Sequence, residues 1–275
     1  MTRQLVVIGD ARHMDEIETG SVPLVVTSPP YWNLKEYGGE GLGPTQAYKQ
    51  YIEGIRDVLV EVERVMEPGR FVCINVGTAV SNDGMESIPS DVISIMRKLG
   101  FIFKKEIIWV KPKGTQGLWQ RGVTKFLKRF PYPCYLNINI MHEYILIFQK
   151  QGIVNLKFTK RDRLSEGFIK KVCWSVWEMP VSMTKGHPAP FPEELPDRLI
   201  RLYTVEGETV LDPFGGTGTT MKVARDLNRS CILYEINPNY LPLIKEKVEW
   251  GKQAIGREHI YELKVKVPQA KVQIG

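Results

Sequence analysis

Cysteine is scarce in this chain of 275 residues: only Cys73, Cys134, Cys173 and Cys231 occur. No two are spaced as a Cys-x-x-Cys pair, so neither a zinc knuckle nor a disulfide framework is indicated. No apolar run approaches the roughly 20 residues needed to cross a bilayer. The N-terminus lacks the basic segment and apolar stretch of a secretory signal. A soluble cytoplasmic protein is expected, with no membrane partner and no bound metal. Internal repeats and low-complexity tracts are missing as well. Acidic residues are absent from Ile107 to His142, a stretch that holds Lys111, Lys113, Arg121, Lys125, Lys128 and Arg129.

The remainder is ordinary globular composition, with 43% hydrophobic and 25% charged residues, and the chain is long enough to bury a sizeable core. Its formal net charge of +6 suits a polyanionic partner, although a solvated basic loop would look the same. A second basic run holds Lys157, Lys160, Arg161, Arg163, Lys170 and Lys171, diluted by Asp162 and Glu166.

Short β-branched apolar runs ending in turn residues predict strands at Leu5–Ile8, Val22–Thr27, Phe71–Val76, Ile102–Val110, Glu143–Phe148, Thr209–Leu211 and Cys231–Tyr234. Between them, Tyr48–Met66 carries an apolar stripe of period 3.6 that stops at Pro68-Gly69. Further helices are predicted over Ser90–Leu99, Glu193–Leu202, Thr219–Leu227 and Tyr240–Trp250. Strands alternating with helices imply an α/β fold with a mainly parallel sheet covered on both faces. Residues 112–179 break the rhythm and read as an insertion. Ile260–Val267 alternates apolar and polar, as an added edge strand or an oligomer contact would.

Two strand exits carry the chemistry. The first is Asp212-Pro213-Phe214-Gly215-Gly216-Thr217-Gly218-Thr219, a glycine-rich turn opening a helix. Ligands of open α/β sheets bind outside the carboxyl ends of strands, and glycines let the backbone approach them. Glu235 ends the next strand 23 positions after Asp212, a spacing that suits a carboxylate binding ribose hydroxyls. Neither the P-loop pattern nor the GxGxxG dinucleotide pattern fits, so a nucleoside cofactor without a pyrophosphate fits better.

The second exit is Ser28-Pro29-Pro30-Tyr31. Two prolines fix φ twice and remove two backbone donors, leaving a stiff turn with a small polar residue on one side and an aromatic on the other. A structural turn with a packed tyrosine has the same outline. Amine methylation, however, calls for this set of groups. The lone pair of a base's exocyclic amine is delocalised into the ring, and accepting hydrogen bonds from both amine protons helps localise it; Ser28 Oγ and the Pro29 carbonyl are suited to that. A base flipped out of the duplex needs an aromatic surface to stack on, and Tyr31 offers one.

Both segments resemble the signature motifs of the amino DNA methyltransferases, the cytosine-N4/adenine-N6 family. The order, catalytic motif first and cofactor motif last, resembles the β-class permutation. Lys185-Gly186-His187-Pro188-Ala189-Pro190-Phe191-Pro192 is similar to the family segment before the cofactor strand, and Gly9-Asp10 to the family's Gly-Asp pair near the cofactor adenine. The resemblance implies a circularly permuted, Rossmann-like fold dependent on S-adenosyl-L-methionine. Its mostly parallel sheet would have seven strands, the seventh antiparallel. It implies catalytic roles for Ser28, Pro29, Pro30 and Tyr31. It also implies cofactor contacts from Asp10, His187, Phe191, Asp212, Phe214, Gly215, Gly216, Gly218, Thr219 and Glu235. Residues 1–111 would form the catalytic half and 180–250 the cofactor-binding half. Residues 112–179 would recognise duplex DNA through Lys111, Lys113, Arg121, Lys125, Lys128 and Arg129, with a returning strand near 143–148. Residues 251–275 would form a C-terminal extension.

Serine at the first catalytic position is commoner among cytosine-N4 enzymes of the family than among adenine-N6 enzymes, so cytosine N4 is the expected target and adenine N6 the alternative. An enzyme acting on RNA or on protein glutamine, and an inactive DNA-binding module, are competing classes. The family resemblance suggests a restriction–modification setting and leaves open a homodimer and a separate cognate endonuclease. Pro133-Cys134 lacks the Glu-Asn-Val partner of carbon-5 cytosine enzymes, since Ile74 precedes Asn75-Val76; Cys134 therefore reads as structural.

Overall fold

The computed structural model describes residues 1–32, 47–81, 84–112, 132–134, 140–154, 156, 158–182, 191–252 and 258–266. The strands are β1 (Thr2–Ile8), β2 (Val22–Thr27), β3 (Met66–Val76), β4 (Ala79–Ser81), β5 (Gly84–Glu86), β6 (Ile102–Val110), β7 (His142–Gln149), β8 (Val176–Glu178), β9 (Thr209–Asp212), β10 (Ser230–Glu235) and β11 (His259–Val265). The helices are α1 (Tyr48–Val65), α2 (Ile88–Lys98), α3 (Glu166–Val172), α4 (Glu194–Tyr203), α5 (Thr219–Asp226) and α6 (Leu241–Lys247). None is long and apolar enough to cross a membrane among the described residues.

One nine-stranded sheet has the order β11-β1-β10-β9-β2-β3-β7-β6-β8, and β4 pairs with β5 apart from it. All its pairings are parallel except those of β7, which runs antiparallel to β3 and to β6. The mostly parallel sheet with one antiparallel strand is thus as expected. Two edge strands extend the seven to nine: β11, where the sequence pattern offered an added edge strand, and the three-residue β8.

Strands buried on both faces read as continuous apolar runs, and β2 is buried at all six positions. Val25 faces a core shared with α1 and α2, whereas Leu24 and Val26 face a core shared with α4, α5 and α6. Helix α1 buries Tyr51, Ile55, Val58, Leu59, Val62 and Val65, the stripe its sequence shows. The helix that follows β2 and the helix that follows β9 therefore cover opposite faces. Right-handed crossovers then carry the chain from β2 to β3 in one direction and from β9 to β10 in the other. The adjacent carboxyl ends of β2 and β9 form a topological switch point, where open α/β sheets hold their ligands.

Helix and strand boundaries differ most from the sequence pattern at Pro68-Gly69. The helix stops at Val65 and the strand starts at Met66 instead of Phe71. The pairing with β2 shifts register from Val22↔Met66 to Leu24↔Phe71, so Pro68-Gly69 sits in a bulge. Gly69 has φ +80°, and a Cβ there would lie 2.7 Å from the backbone at Ile153, which only glycine tolerates. The elements α3, β4, β5 and β8 were not foreseen; each has seven residues or fewer, too few to set a period against its surroundings.

Just beyond that bulge, Arg70 is 2% exposed. Its guanidinium donates to Glu208 at 2.6 Å and to the carbonyls of Pro23 at 3.3 Å and Tyr203 at 3.2 Å. It thereby ties the start of β2 to the end of α4 and the turn before β9. Removing one member of a buried pair strands the other charge, at a cost of about 3–5 kcal/mol. Glu208→Ala is expected to lose about 3 kcal/mol of unfolding free energy in urea titration. A loss below about 1 kcal/mol would show that water or the carbonyls alone satisfy Arg70.

Candidate active site

Thr27, the last residue of β2, donates its hydroxyl to Asp212 Oδ1 at 2.7 Å. Asp212 is the last residue of β9 and is 1% exposed. Its other oxygen accepts from the Thr220 hydroxyl at 2.6 Å, and the Phe214 amide reaches Oδ1 at 3.2 Å. Burial pushes the Asp212 carboxyl up to about 6 against these three donors. A single carboxylate thus links the base of the Ser28–Tyr31 turn to the glycine-rich turn.

The glycine-rich turn is packed from beneath and braced from the side. A Cβ on Gly215 would fall 2.1 Å from Leu233, so glycine is required there for packing. Gly218 has φ +84° and begins α5 from the left-handed region. Lys247 on α6 donates to Thr217 Oγ1 at 2.6 Å and to Thr219 Oγ1 at 3.0 Å, and burial lowers its pKa. Phe214 and Phe191 are half-buried against the first and second cores respectively.

Glu235 ends β10 with its carboxylate turned back to the turn. The Gly216 amide donates to Oε2 at 2.8 Å and the Asn237 amide to Oε1 at 2.8 Å. Burial pushes its carboxyl up to about 7, with the two amide bonds opposing. Ile8 of β1 pairs with Glu235, which brings Asp10 to the same end of the sheet. Asp10 accepts the Arg12 backbone amide at 2.9 Å and its guanidinium at 2.8 Å. Burial raises the Asp10 carboxyl, but the Arg12 hydrogen bonds outweigh it and the net shift is downward. Turn formation and a ligand role are compatible at this position.

The Ser28–Tyr31 turn is held from two sides. The Tyr51 hydroxyl of α1 donates to the Pro30 carbonyl at 2.7 Å. Trp32 packs edge-on against Tyr48, with centroids 5.0 Å apart. A Cβ on Gly77 would sit 3.5 Å from the Tyr31 ring and 3.3 Å from Glu143, so this glycine leaves room for both side chains. Asn75 Nδ2 lies 3.5 Å from Ser28 Oγ and donates to Glu143 Oε2 at 2.7 Å. The other oxygen of Glu143 pairs with Lys111.

Asp10, Ser28, Pro29, Pro30, Tyr31, Asp212, Phe214, Gly215, Gly216, Gly218 and Glu235, with Thr219 at the start of α5, thus lie at the carboxyl ends of the parallel strands. Lys111, expected to contact DNA, has a carboxylate partner within the chain. Its side chain is 17% exposed, ion-paired with Glu143 and set over the Trp109 ring. His187, Lys113, Arg121, Lys125, Lys128 and Arg129 lie outside the described residues. In the second basic run, Lys170 pairs with Glu166 and Lys171 with Glu194. Trp109 is buried, and its indole donates to the Met179 carbonyl. Thr27, Tyr51, Asn75, Glu143 and Lys247 were not anticipated as site residues. Asn75 and Glu143 left a signal, as polar residues within otherwise apolar strands. The others left none, because their roles depend on the packing of distant segments.

The family profile described as DNA methylase matches residues 22–246. The type II methyltransferase M.MjaI of Methanocaldococcus jannaschii is 37% identical, over 94% of this chain and 95% of its own. M.MthZI of Methanothermobacter thermautotrophicus is 32% identical, over 86% of this chain and 73% of its own. The structure of TTHA0409 from Thermus thermophilus complexed with S-adenosyl-L-methionine superposes with a TM-score of 0.71 at 31% identity, covering 96% of this chain and all of that one. The cytosine-N4-specific PvuII DNA methyltransferase shares the fold, with a TM-score of 0.69 at 19% identity over 92% of this chain and 89% of its own. The switch-point crevice, its two motif-bearing turns and these relationships agree: the chain belongs to the DNA methylase family, as an S-adenosyl-L-methionine-dependent DNA methyltransferase of the N6/N4 type.

Proposed function

We propose that this enzyme methylates the N4 amine of cytosine within a specific sequence of duplex DNA, as the modification enzyme of a restriction–modification system. The observation that carries the base assignment is Ser28, a neutral hydroxyl at the first position of the catalytic tetrapeptide, beside the Asn75 amide. The type II methyltransferases among its relatives support the restriction–modification setting. The acid-free stretch from Ile107 to His142 supports DNA reading by the insertion at 112–179.

The residues present fit S-adenosyl-L-methionine. The turn has no side chain at Gly215, Gly216 or Gly218, and it ends against two buried carboxylates, Asp212 and Glu235. Glu235 would accept the ribose hydroxyls, Asp10 would border the adenine, and Phe214, Phe191 and His187 would line the pocket. The bound cofactor supplies an electrophilic methyl group on a sulfonium. Ser28 Oγ and the Pro29 carbonyl accept hydrogen bonds from the two N–H groups of the flipped amine, and Tyr31 stacks on the base. The stiff Pro-Pro turn, fixed at Pro30 by Tyr51, holds these acceptors without reorganisation, which is where most of the rate gain arises. As the amine nitrogen gains the methyl group, the carbon–sulfur bond would break to leave a neutral thioether and the surplus amine proton would pass to solvent, with no covalent enzyme–base bond formed.

Mass spectrometry of nucleosides from DNA methylated by the purified enzyme should show N4-methylcytosine. N6-methyladenine alone would overturn the base assignment, and methylated RNA without methylated DNA would overturn the substrate. Ser28→Ala should lower the single-turnover rate by about 10²–10³-fold with cofactor affinity unchanged. A rate within about threefold of native would remove Ser28 from catalysis.

Cofactor affinity should depend on pH through Glu235. Its folded pKa of about 7 leaves part of the carboxyl protonated near neutrality, whereas accepting ribose hydroxyls favours the ionised form. Binding is then strongest above pH 8 and weakens as pH falls through 7, by about tenfold between pH 8 and pH 6. Calorimetry should also show proton release on binding near pH 7. Equal affinities at pH 6 and pH 8 would contradict this role for Glu235.

A further inference from the structure

Four strands deliver one polar side chain each to the catalytic turn. Ser28 follows β2, Asn75 is the penultimate residue of β3, Glu143 is the second residue of β7, and Lys111 follows β6. These strands are neighbours in the sheet, in the order β2-β3-β7-β6. Because β7 runs antiparallel to β3 and β6, its beginning lies where they end. The side chains connect in the same order: Lys111 pairs with Glu143, Glu143 accepts from Asn75 Nδ2 at 2.7 Å, and Nδ2 also faces Ser28 Oγ at 3.5 Å.

Stability gives little reason for this chain of groups. Asn75 is 2% and Glu143 5% exposed, and a buried ion pair is seldom better than apolar residues of the same volume. Asn75 Oδ1 is buried and has no hydrogen-bond partner among the described residues, which is itself unfavourable. Turning the amide over would set Oδ1 against the Glu143 carboxylate, so the charge of Glu143 dictates that the NH₂ end faces Ser28. The amide thus gives up a partner for Oδ1 among the described residues and gains a fixed place for a donor at the Ser28 hydroxyl.

We propose that Asn75 is a positioning residue for Ser28, itself oriented by Glu143, which Lys111 holds in place. The proposal rests on Ser28 being an acceptor for the target amine. One Nδ2 hydrogen is committed to Glu143. The other is directed at Ser28 Oγ, occupies one lone pair and turns the hydroxyl hydrogen aside, leaving the second lone pair toward the substrate amine. The long 3.5 Å contact tightens when a base enters, as catalytic hydrogen bonds in ligand-free enzymes do. Lys111 then acts within the catalytic pocket and not as a phosphate contact.

A double-mutant cycle on the full chain tests this, using single-turnover methylation of a duplex substrate, with cofactor affinity and melting temperature as controls. Asn75→Ala should slow methyl transfer by roughly 10–100-fold with cofactor affinity unchanged. In the Ser28→Ala background the same substitution should slow it by less than about threefold, because the two residues act as one unit. Additive losses, or no loss from Asn75→Ala, would overturn the positioning role. No loss from Ser28→Ala would instead overturn the reading of Ser28 on which the proposal rests. Should Asn75→Ala fail to fold, the near-isosteric Glu143→Gln replaces it in the same cycle with the same expectation. Lys111→Met should lower the rate while leaving the slope of log affinity for DNA against log salt unchanged. A slope reduced by about one phosphate contact with an unchanged rate would return Lys111 to the DNA interface and break the chain at its outer end.

Discussion

The hydrogen bond from Thr27 to Asp212 holds together the two halves of this enzyme's chemistry. Methyl transfer needs donor and acceptor within contact of each other, and the turns proposed to bind them are separated by more than 180 residues of chain. Adjacent parallel strands bring the turns close, but a strand exit alone leaves each loop free to turn. Asp212 removes that freedom. It binds the last side chain of β2, the first helical turn of α5 and the backbone of its own loop. Its burial, which pushes the carboxyl up to about 6, is the energetic consequence of placing an acceptor where three donors converge.

The same trade recurs along that edge of the sheet. Glu235 and Glu143 are each over nine-tenths buried, at the ends of strands whose other residues are almost wholly apolar. Carboxylates in such places disfavour folding unless their oxygens are bonded. Backbone amides satisfy Glu235, whereas Lys111 and Asn75 satisfy Glu143. The two apolar cores on either face of the sheet provide the stability that this edge gives up. The opposite edge carries a pair of another kind. Arg70 and Glu208 join the start of β2 to the turn before β9, aligning at their base the two strands that Thr27 and Asp212 align at their tips.

Much of this was legible in the sequence, for identifiable reasons. The strands and long helices show because parallel strands and amphipathic helices have distinct apolar periods, and α1 and β2 match their patterns almost residue for residue. The two turns show because proline and glycine restrict or free the backbone in ways few other residues do. Short elements such as β8 and α3 are silent, since three to seven residues define no period. Lys111 shows the deeper limit. In the sequence it heads a basic stretch and reads as a DNA contact. In the fold its partner Glu143, 32 residues away, lies on the neighbouring strand. Charge counted along a chain cannot distinguish an ammonium facing solvent from one facing a buried carboxylate.

The antiparallel strand accounts for why a partner that distant can matter. In a fully parallel sheet, every strand would present its final residue to the crevice, and a strand's opening residues would lie at the far side. Reversing β7 places its first residues, His142 and Glu143, among the last residues of β3 and β6. The Ser28–Tyr31 turn is thereby served by neighbouring strands whose order along the chain is immaterial, because only strand adjacency and direction fix the geometry. A permuted order of motifs is therefore compatible with an unchanged site, provided the strand beside β3 is still reversed and still opens on a group that can orient Asn75.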